Sequence, residues 1–224
     1  MISEINKLKE FYRYPVTPGS YFISFEGIEG SGKSTQIKLI EETLKEKNFK
    51  VITLREPGGT KFGEKLREAI LESQVPLHPL AECHLFLASR AQLLKEKVLP
   101  LLLQPGHVVI LDRYMDSTLA YQGRARRLGY EVVLDLHKND PLNLMPHRTY
   151  FLDISLEISM QRQAARGQHK DYFESENHQF YSELIQGYRD MATLFPERIF
   201  KIDATRSMNE VQSTIQADLE QFLK

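Results

Sequence analysis

Residues 21–35 read YFISFEGIEGSGKST, from Tyr21 to Thr35. Tyr21 to Phe25 is a β-favouring run, which predicts a strand. Gly27-Ile28-Glu29-Gly30-Ser31-Gly32-Lys33-Ser34 then fits the pattern of glycine, four residues, and Gly-Lys-Ser/Thr. Behind it Ile37, Leu39, Ile40 and Leu44 recur at helical spacing. Strand, glycine loop and helix are the context a phosphate-binding loop needs. Glycines let the backbone curl so that its N–H groups converge on phosphate oxygens, and the helix N-terminus adds partial positive charge. The reading assigns an ATP-binding role to the whole loop from Gly27 through Ile28, Glu29, Gly30, Ser31, Gly32, Lys33 and Ser34 to Thr35. Lys33 is expected to reach the β/γ-phosphates, and Ser34 to offer its hydroxyl to Mg²⁺.

Composition sets the bounds around this stretch. At 224 residues the chain is long enough for one well-buried core and short for two full domains. With 29 basic and 30 acidic residues the formal net charge is −1, which argues against nucleic-acid or membrane-surface binding. The single cysteine, Cys83, excludes an intrachain disulfide and suits a reducing cytoplasm. No apolar run approaches the roughly 18 residues of a membrane span. Residues 1–20 hold Glu4 and Glu10 and lack the apolar centre of a secretory signal. Ile5, Leu8, Phe11 and Tyr12 give them a weak amphipathic pattern that Pro15 and Pro18 break. They form an N-terminal extension, either a short helix resting on the body or a disordered leader.

Outward from the loop, strands and helices alternate. Lys50–Leu54 is a short apolar run and reads as a buried strand. Arg55-Glu56-Pro57-Gly58-Gly59-Thr60 follows, either a plain turn or a site-facing one, with Thr60 placed to cap the next helix. Pro79 to about Leu103 is a long helical pattern that Pro100 is expected to kink or end early. On it Phe86 and Arg90 stand i, i+4, so they share a face: a base-holding pair, or a core Phe beside a surface Arg. His107–Leu111 is the most apolar short run and reads as a central strand ending in Asp112-Arg113-Tyr114. An acid at a strand tip beside the loop can hold Mg²⁺, as a Walker-B aspartate does.

Met115 to Gln122 reads as a helix, with Ser117, Thr118 and Tyr121 within a turn of one another. Arg148–Asp153 and Arg198–Asp203 are further strands. Helices are expected after Ser155, from about Glu174 to Leu194, and from Met208 to Leu223. Between two of them lies a basic segment around Gly167, with Arg162, Arg166, His169 and Lys170. It reads as a lid over phosphates or as an ordinary connection. As a lid, its arginines are expected away from the glycine loop in a ligand-free molecule. The alternation predicts an α/β fold, a three-layer doubly wound parallel sheet, in one domain over residues 21–224 with the lid at about 162–172.

Taken together, FEGIEGSGKST, REPGGT with Lys65-Leu66-Arg67 after it, LFLASR (85–90), DRYMDSTLAYQG (112–123) and IDAT (202–205) resemble the bacterial-type thymidylate kinases. The resemblance covers Tyr21 to the C-terminus. It implies the P-loop nucleoside-monophosphate-kinase fold, with a five-stranded parallel sheet in order 2-3-1-4-5, and a homodimer. It implies transfer of a phosphoryl group from ATP to dTMP, giving dTDP for dTTP biosynthesis, with Mg²⁺. By the same resemblance Glu29 faces the acceptor sugar and phosphate, and Arg67 and Arg113 hold the acceptor phosphate. Phe86 stacks on thymine, Arg90 addresses its O4, Thr118 its edge, and Tyr121 packs under the deoxyribose. Asp112 organises the metal. The loop contains no arginine, which resembles the class that supplies one from the lid. Arg162, Arg166 and Lys170 are the candidates. The Glu56–Pro57 bond is expected to be cis.

Overall fold

The computed structural model describes residues 2–165 and 176–223. Strand β1 (Tyr21–Glu26) is buried from Phe22 onward and lies at the centre of the sheet. It pairs in parallel with β3 (His107–Asp112) on one side and β4 (Arg148–Asp153) on the other. Outside them lie β2 (Lys50–Arg55) and β5 (Ile199–Asp203), giving the order β2-β3-β1-β4-β5. This is the order the resemblance implied. Strands covered by helices on both faces bury consecutive residues, which is why β3 reads HVVIL rather than alternating.

Lys50–Leu54 corrects one expectation. Its strand is an edge, paired only with β3, and none of its residues is fully buried. An apolar run shows that a strand is covered but not how many neighbours it has.

The chain leaves β1 towards β2 and β3 on one side, while β4 and β5 fill the other. Ligands bind at such a switch point, beyond the carboxyl ends of the strands. Phe25 pairs with Asp112, so β1 and β3 deliver the glycine loop and the aspartate side by side.

Several helices build the two faces. Helix α2 (Lys33–Glu46) buries Ile37, Ile40 and Leu44. Thr60 caps α3 (Lys61–Leu71) by accepting from Gly63 N–H at 2.9 Å. Helix α4 (Pro79–Leu93) runs through a π-helical turn (Leu94–Val98) into α5 (Leu99–Leu102). Pro100 therefore does not end the helix early. The wide turn just before it rearranges the backbone bonding where proline has no N–H to give. Helix α6 (Met115–Thr118) likewise continues as a π-helical turn (Leu119–Ala125). Helix α7 (Tyr130–His137), α8 (Leu156–Ala164), α9 (His178–Leu194) and α10 (Met208–Phe222) complete the layers.

The N-terminal residues are docked, the first of the two alternatives. Helix α1 (Ile2–Lys9) packs on α7, and Ile5 is buried in the main core. The Tyr12 hydroxyl donates to the Leu134 carbonyl at 2.7 Å, and Met145 N–H to the Arg13 carbonyl at 2.8 Å. Cys83 is fully buried. Among the described residues no helix is long and apolar enough to cross a membrane.

Candidate active site

The loop after β1 owes its shape to glycine. Gly27 sits at φ +140°, where an added Cβ would come within 2.7 Å of the Leu152 carbonyl. Gly32 caps α2 at φ +96°, a left-handed backbone that suits glycine. The first turn of α2 thus brings its unpaired N–H groups to the loop. Lys33 folds back over it, donating to the Gly27 and Ile28 carbonyls at 3.0 and 3.2 Å. Burial, reinforced by the like charge of Arg113, pushes its ammonium down to about 7. Inside the same loop the Ser31 hydroxyl is buried with no hydrogen-bond partner among the described residues. A buried hydroxyl and a desolvated ammonium in one glycine cradle are the groups an incoming phosphate satisfies.

Outside the loop, the structure overturns the expected place of Arg162. Its guanidinium donates to the Gly30 carbonyl at 3.1 Å and to the Ala204 carbonyl at 2.9 Å, against the loop rather than away from it. A guanidinium only donates, and these backbone acceptors are within its reach without any ligand. Ser159, one turn earlier on α8, donates to the Glu29 carbonyl at 2.7 Å. Arg166, Lys170 and the rest of the expected lid beyond 165 lie outside the described residues.

Ser34, with Thr35 beside it in the first turn of α2, is exposed. The Ser34 hydroxyl points to Asp112 Oδ2 at 3.4 Å. One hydroxyl and one carboxylate suit a hard cation that keeps waters and phosphate oxygens as its other ligands. Among the described residues no group of three or more His, Cys, Asp or Glu is placed to hold a metal by itself.

Next to the loop lies a solvent-open cleft. Glu29 and Arg113 line its loop end, Arg67 and Pro57 one wall, and Thr118 and Tyr121 another. Phe86 and Arg90 line it as well, one helical turn apart on α4. The structure therefore brings every acceptor-side residue read from the sequence into one cavity. Arg67 donates to the Pro57 carbonyl at 3.1 Å, and the Glu56–Pro57 bond is cis. Arg113, at φ +71°, donates through Nη1 to the Gly27 carbonyl at 3.0 Å and the Tyr188 hydroxyl at 2.9 Å.

The family model described as "Thymidylate kinase" matches residues 25–215. The chain belongs to the thymidylate kinase family. It is 41% identical over 203 residues to a protein of Caldanaerobacter subterraneus subsp. tengcongensis called "Thymidylate kinase", covering 91% of this chain and 96% of that one. A "Thymidylate kinase" of Kosmotoga olearia is 39% identical over 194 residues, 87% and 92% of the two chains. The crystal structure of thymidylate kinase from Ehrlichia chaffeensis superposes with a TM-score of 0.69 at 31% identity, covering 91% of this chain and 99% of that one.

In this thymidylate kinase family member the cleft-lining residues are also held by side chains to which the sequence reading gave no role. Glu26, the last residue of β1, is fully buried and accepts from Tyr114 N–H at 2.7 Å and from the Ser117 hydroxyl at 2.6 Å. Burial, with the nearby charge of Asp116, pushes its carboxyl up to about 8. An acid closing an apolar strand directly before the glycine loop was the available signal. Tyr188 arrives from α9, and Glu56 pairs with Arg90. Arg124 and Arg126, just after Gly123, are tied up in ion pairs: Arg124 with Glu183 and Asp190, and Arg126 with Glu82 and Glu176.

Proposed function

We propose that this chain is an ATP:dTMP phosphotransferase that makes dTDP for dTTP biosynthesis. The observation that carries this reading is the shared wall of the two sites. Arg113 lines the acceptor cleft and donates to the Gly27 carbonyl of the phosphate loop at 3.0 Å, so donor and acceptor phosphates meet there. Two anions must be brought in line while their repulsion is neutralised. Loop amides, Lys33 and Ser31 act on the donor; Arg113 and Arg67 act on the acceptor. No covalent nucleophile is needed.

At the far end of the cleft Phe86 stacks on thymine, Arg90 donates to its O4 and Thr118 meets its edge. Tyr121 fills the space under the sugar, and Glu29 faces the sugar and phosphate. Ser34 and Asp112 would hold Mg²⁺, which supplies charge neutralisation at the donor phosphates. Residues 1–20 serve as an extension docked on a single kinase domain, 21–224. Residues 162–172 serve as its lid, with Arg166 as the lid cation and Arg162 bracing the phosphate loop. A cytoplasmic homodimer is the assembly that accompanies this reading. A coupled ADP-release assay with dTMP, dUMP and thymidine tests it. We expect turnover to be fastest with dTMP and absent with thymidine, which has no acceptor phosphate. Binding of ATP and dTMP without turnover overturns it.

A further inference from the structure

The base end of the cleft stands on a buried chain of three residues, Glu56, Arg90 and His137, exposed by 4%, 1% and 0%. Arg90 donates from Nε to Glu56 Oε2 at 2.7 Å, and its Nη2 lies 2.6 Å from the same oxygen in a buried ion pair. Its Nη1 lies 2.6 Å from His137 Nε2. The imidazole tautomer follows from its partners. The Val133 carbonyl, 2.7 Å from Nδ1, can only accept, so Nδ1 carries the proton. Nε2 then presents a lone pair, and the guanidinium, which can only donate, gives it one N–H. A second proton would set cation against cation. Burial and the Arg90 charge accordingly hold the His137 imidazolium down at about 3, so the ring is neutral at physiological pH.

The two partners do different work. Glu56 grips one edge of the guanidinium through a single oxygen, about which a planar group can still pivot. His137 supplies a second fixed point from another element, the last residue of α7. The Tyr114 ring lies 4.9 Å from the guanidinium carbon and limits tilting out of the plane. Of the guanidinium N–H groups, one on Nε and one on Nη1 are committed to these partners and Nη2 is held in the ion pair, so the direction of the remaining N–H groups is fixed by the plane they share.

We propose that His137 is a positioning residue for base selection. It locks Arg90 so that its remaining N–H groups are aimed into the cleft as pure donors, which suits a 4-oxopyrimidine and refuses a 4-aminopyrimidine. The inference rests on the reading of Arg90 as the group that addresses the base. His137 does not touch the substrate; it acts through Arg90. Sequence spacing gives no hint of it, because the partners are 47 positions apart.

Steady-state kinetics with dTMP, dCMP and ATP test the proposal in Arg90→Ala, His137→Leu, His137→Gln and the Arg90→Ala/His137→Leu pair. Leucine fills space without an acceptor; glutamine restores an acceptor near Nε2. His137→Leu is expected to raise the dTMP Michaelis constant ~10-fold, the scale of one hydrogen bond to a charged group. It should narrow the preference for dTMP over dCMP by a similar factor and leave the ATP Michaelis constant unchanged. His137→Gln should stay near the wild type. In the Arg90→Ala background His137→Leu should add nothing to the dTMP effect. A merely structural histidine would shift ATP and dTMP alike, or add its effect to that of Arg90→Ala, and either result overturns the proposal. An unchanged dTMP Michaelis constant in His137→Leu beside a raised one in Arg90→Ala overturns it while sparing the base-reading role. No effect of Arg90→Ala overturns both. If the leucine variant does not fold, glutamine decides. A dTMP constant raised as far as in Arg90→Ala is then fatal to the proposal, and a near-native one supports it.

Discussion

The Arg113 guanidinium donates to the Gly27 carbonyl across 3.0 Å, so the phosphate loop and the acceptor cleft are tied through one cation. Arg113 directly follows β3, and its backbone N–H donates to the Phe25 carbonyl at 3.0 Å. Its φ of +71° is uncommon for a long side chain. That turn, together with the Tyr188 hydroxyl 2.9 Å from Nη1, swings the side chain back over the loop instead of along the strand. Backbone strain of this kind at a site is held in place by its surroundings.

Tyr188→Phe removes the hydroxyl that accepts from Arg113 and also bonds the Ser117 hydroxyl at 2.7 Å, and it keeps the ring that stacks on Phe151. We expect turnover to fall by a few-fold to ~10-fold, as for one lost hydrogen bond to a charged group, with the ATP Michaelis constant unchanged. Arg113→Lys keeps the charge and loses the planar fork, so it should cost more, ~10²-fold in kcat/KM for dTMP. Wild-type kinetics in Tyr188→Phe would remove the anchoring role.

Lys33 gives a pH dependence with a definite sign. In the ligand-free protein burial and the Arg113 charge hold it down at about 7. A bound phosphate raises it by direct charge pairing. Nucleotide binding is then accompanied by proton uptake, and affinity falls as pH rises through 7 towards the bound-state value. Calorimetry of ATP binding at pH 8 in buffers of different ionisation enthalpy should show net proton uptake in the wild type and less in Lys33→Met. Equal values in the two proteins would contradict the linkage.

The N-terminal extension should contribute stability that point substitutions can measure. Ile5 is 1% exposed and belongs to the core, so Ile5→Ala is expected to cost about 2–4 kcal/mol by lost burial and a residual cavity. Tyr12→Phe removes only the bond to the Leu134 carbonyl and should cost about 1 kcal/mol. Urea unfolding of the full-length variants checks both. An Ile5→Ala protein as stable as the wild type would mean that α1 lies on α7 without holding it.

Legibility from sequence followed locality. The glycine loop, its strand and its helix are contiguous, so spacing alone placed them. Phe86 and Arg90 are one helical turn apart, so their shared face followed from spacing, while their place at the cleft was implied only by the resemblance. Long-range partners left no such trace. Arg113 finds Tyr188 75 positions away, and Asp116 finds Arg198 82 positions away, in a fully buried ion pair of 2.6 Å. The edge position of β2 depends on which strands pair, and the run KVITL does not encode that. Arg162 went to backbone carbonyls of the loop and of Ala204, acceptors that every residue carries and no motif marks.

The placement of Arg162 sharpens the last prediction. Between Gly27 and Lys33 the loop offers Ile28, Glu29 and Ser31 beside glycine, so it brings no arginine to the charge that develops on the transferred phosphoryl group. Arg162 is close by, but its guanidinium is spent on the Gly30 and Ala204 carbonyls, where it braces the loop against the segment after β5. Arg162→Ala should therefore act chiefly on ATP affinity and on stability. Arg166 is the next arginine along the sequence in the expected lid and the remaining arginine candidate to meet that charge. Such a cation is worth ~10³-fold or more in turnover. Arg166→Ala should accordingly lower the single-turnover rate at saturating ATP and dTMP by about that factor, with a smaller effect on dTMP binding. A wild-type rate in Arg166→Ala would remove it from the chemistry and return the role to Arg162 or Lys170, each testable in the same assay.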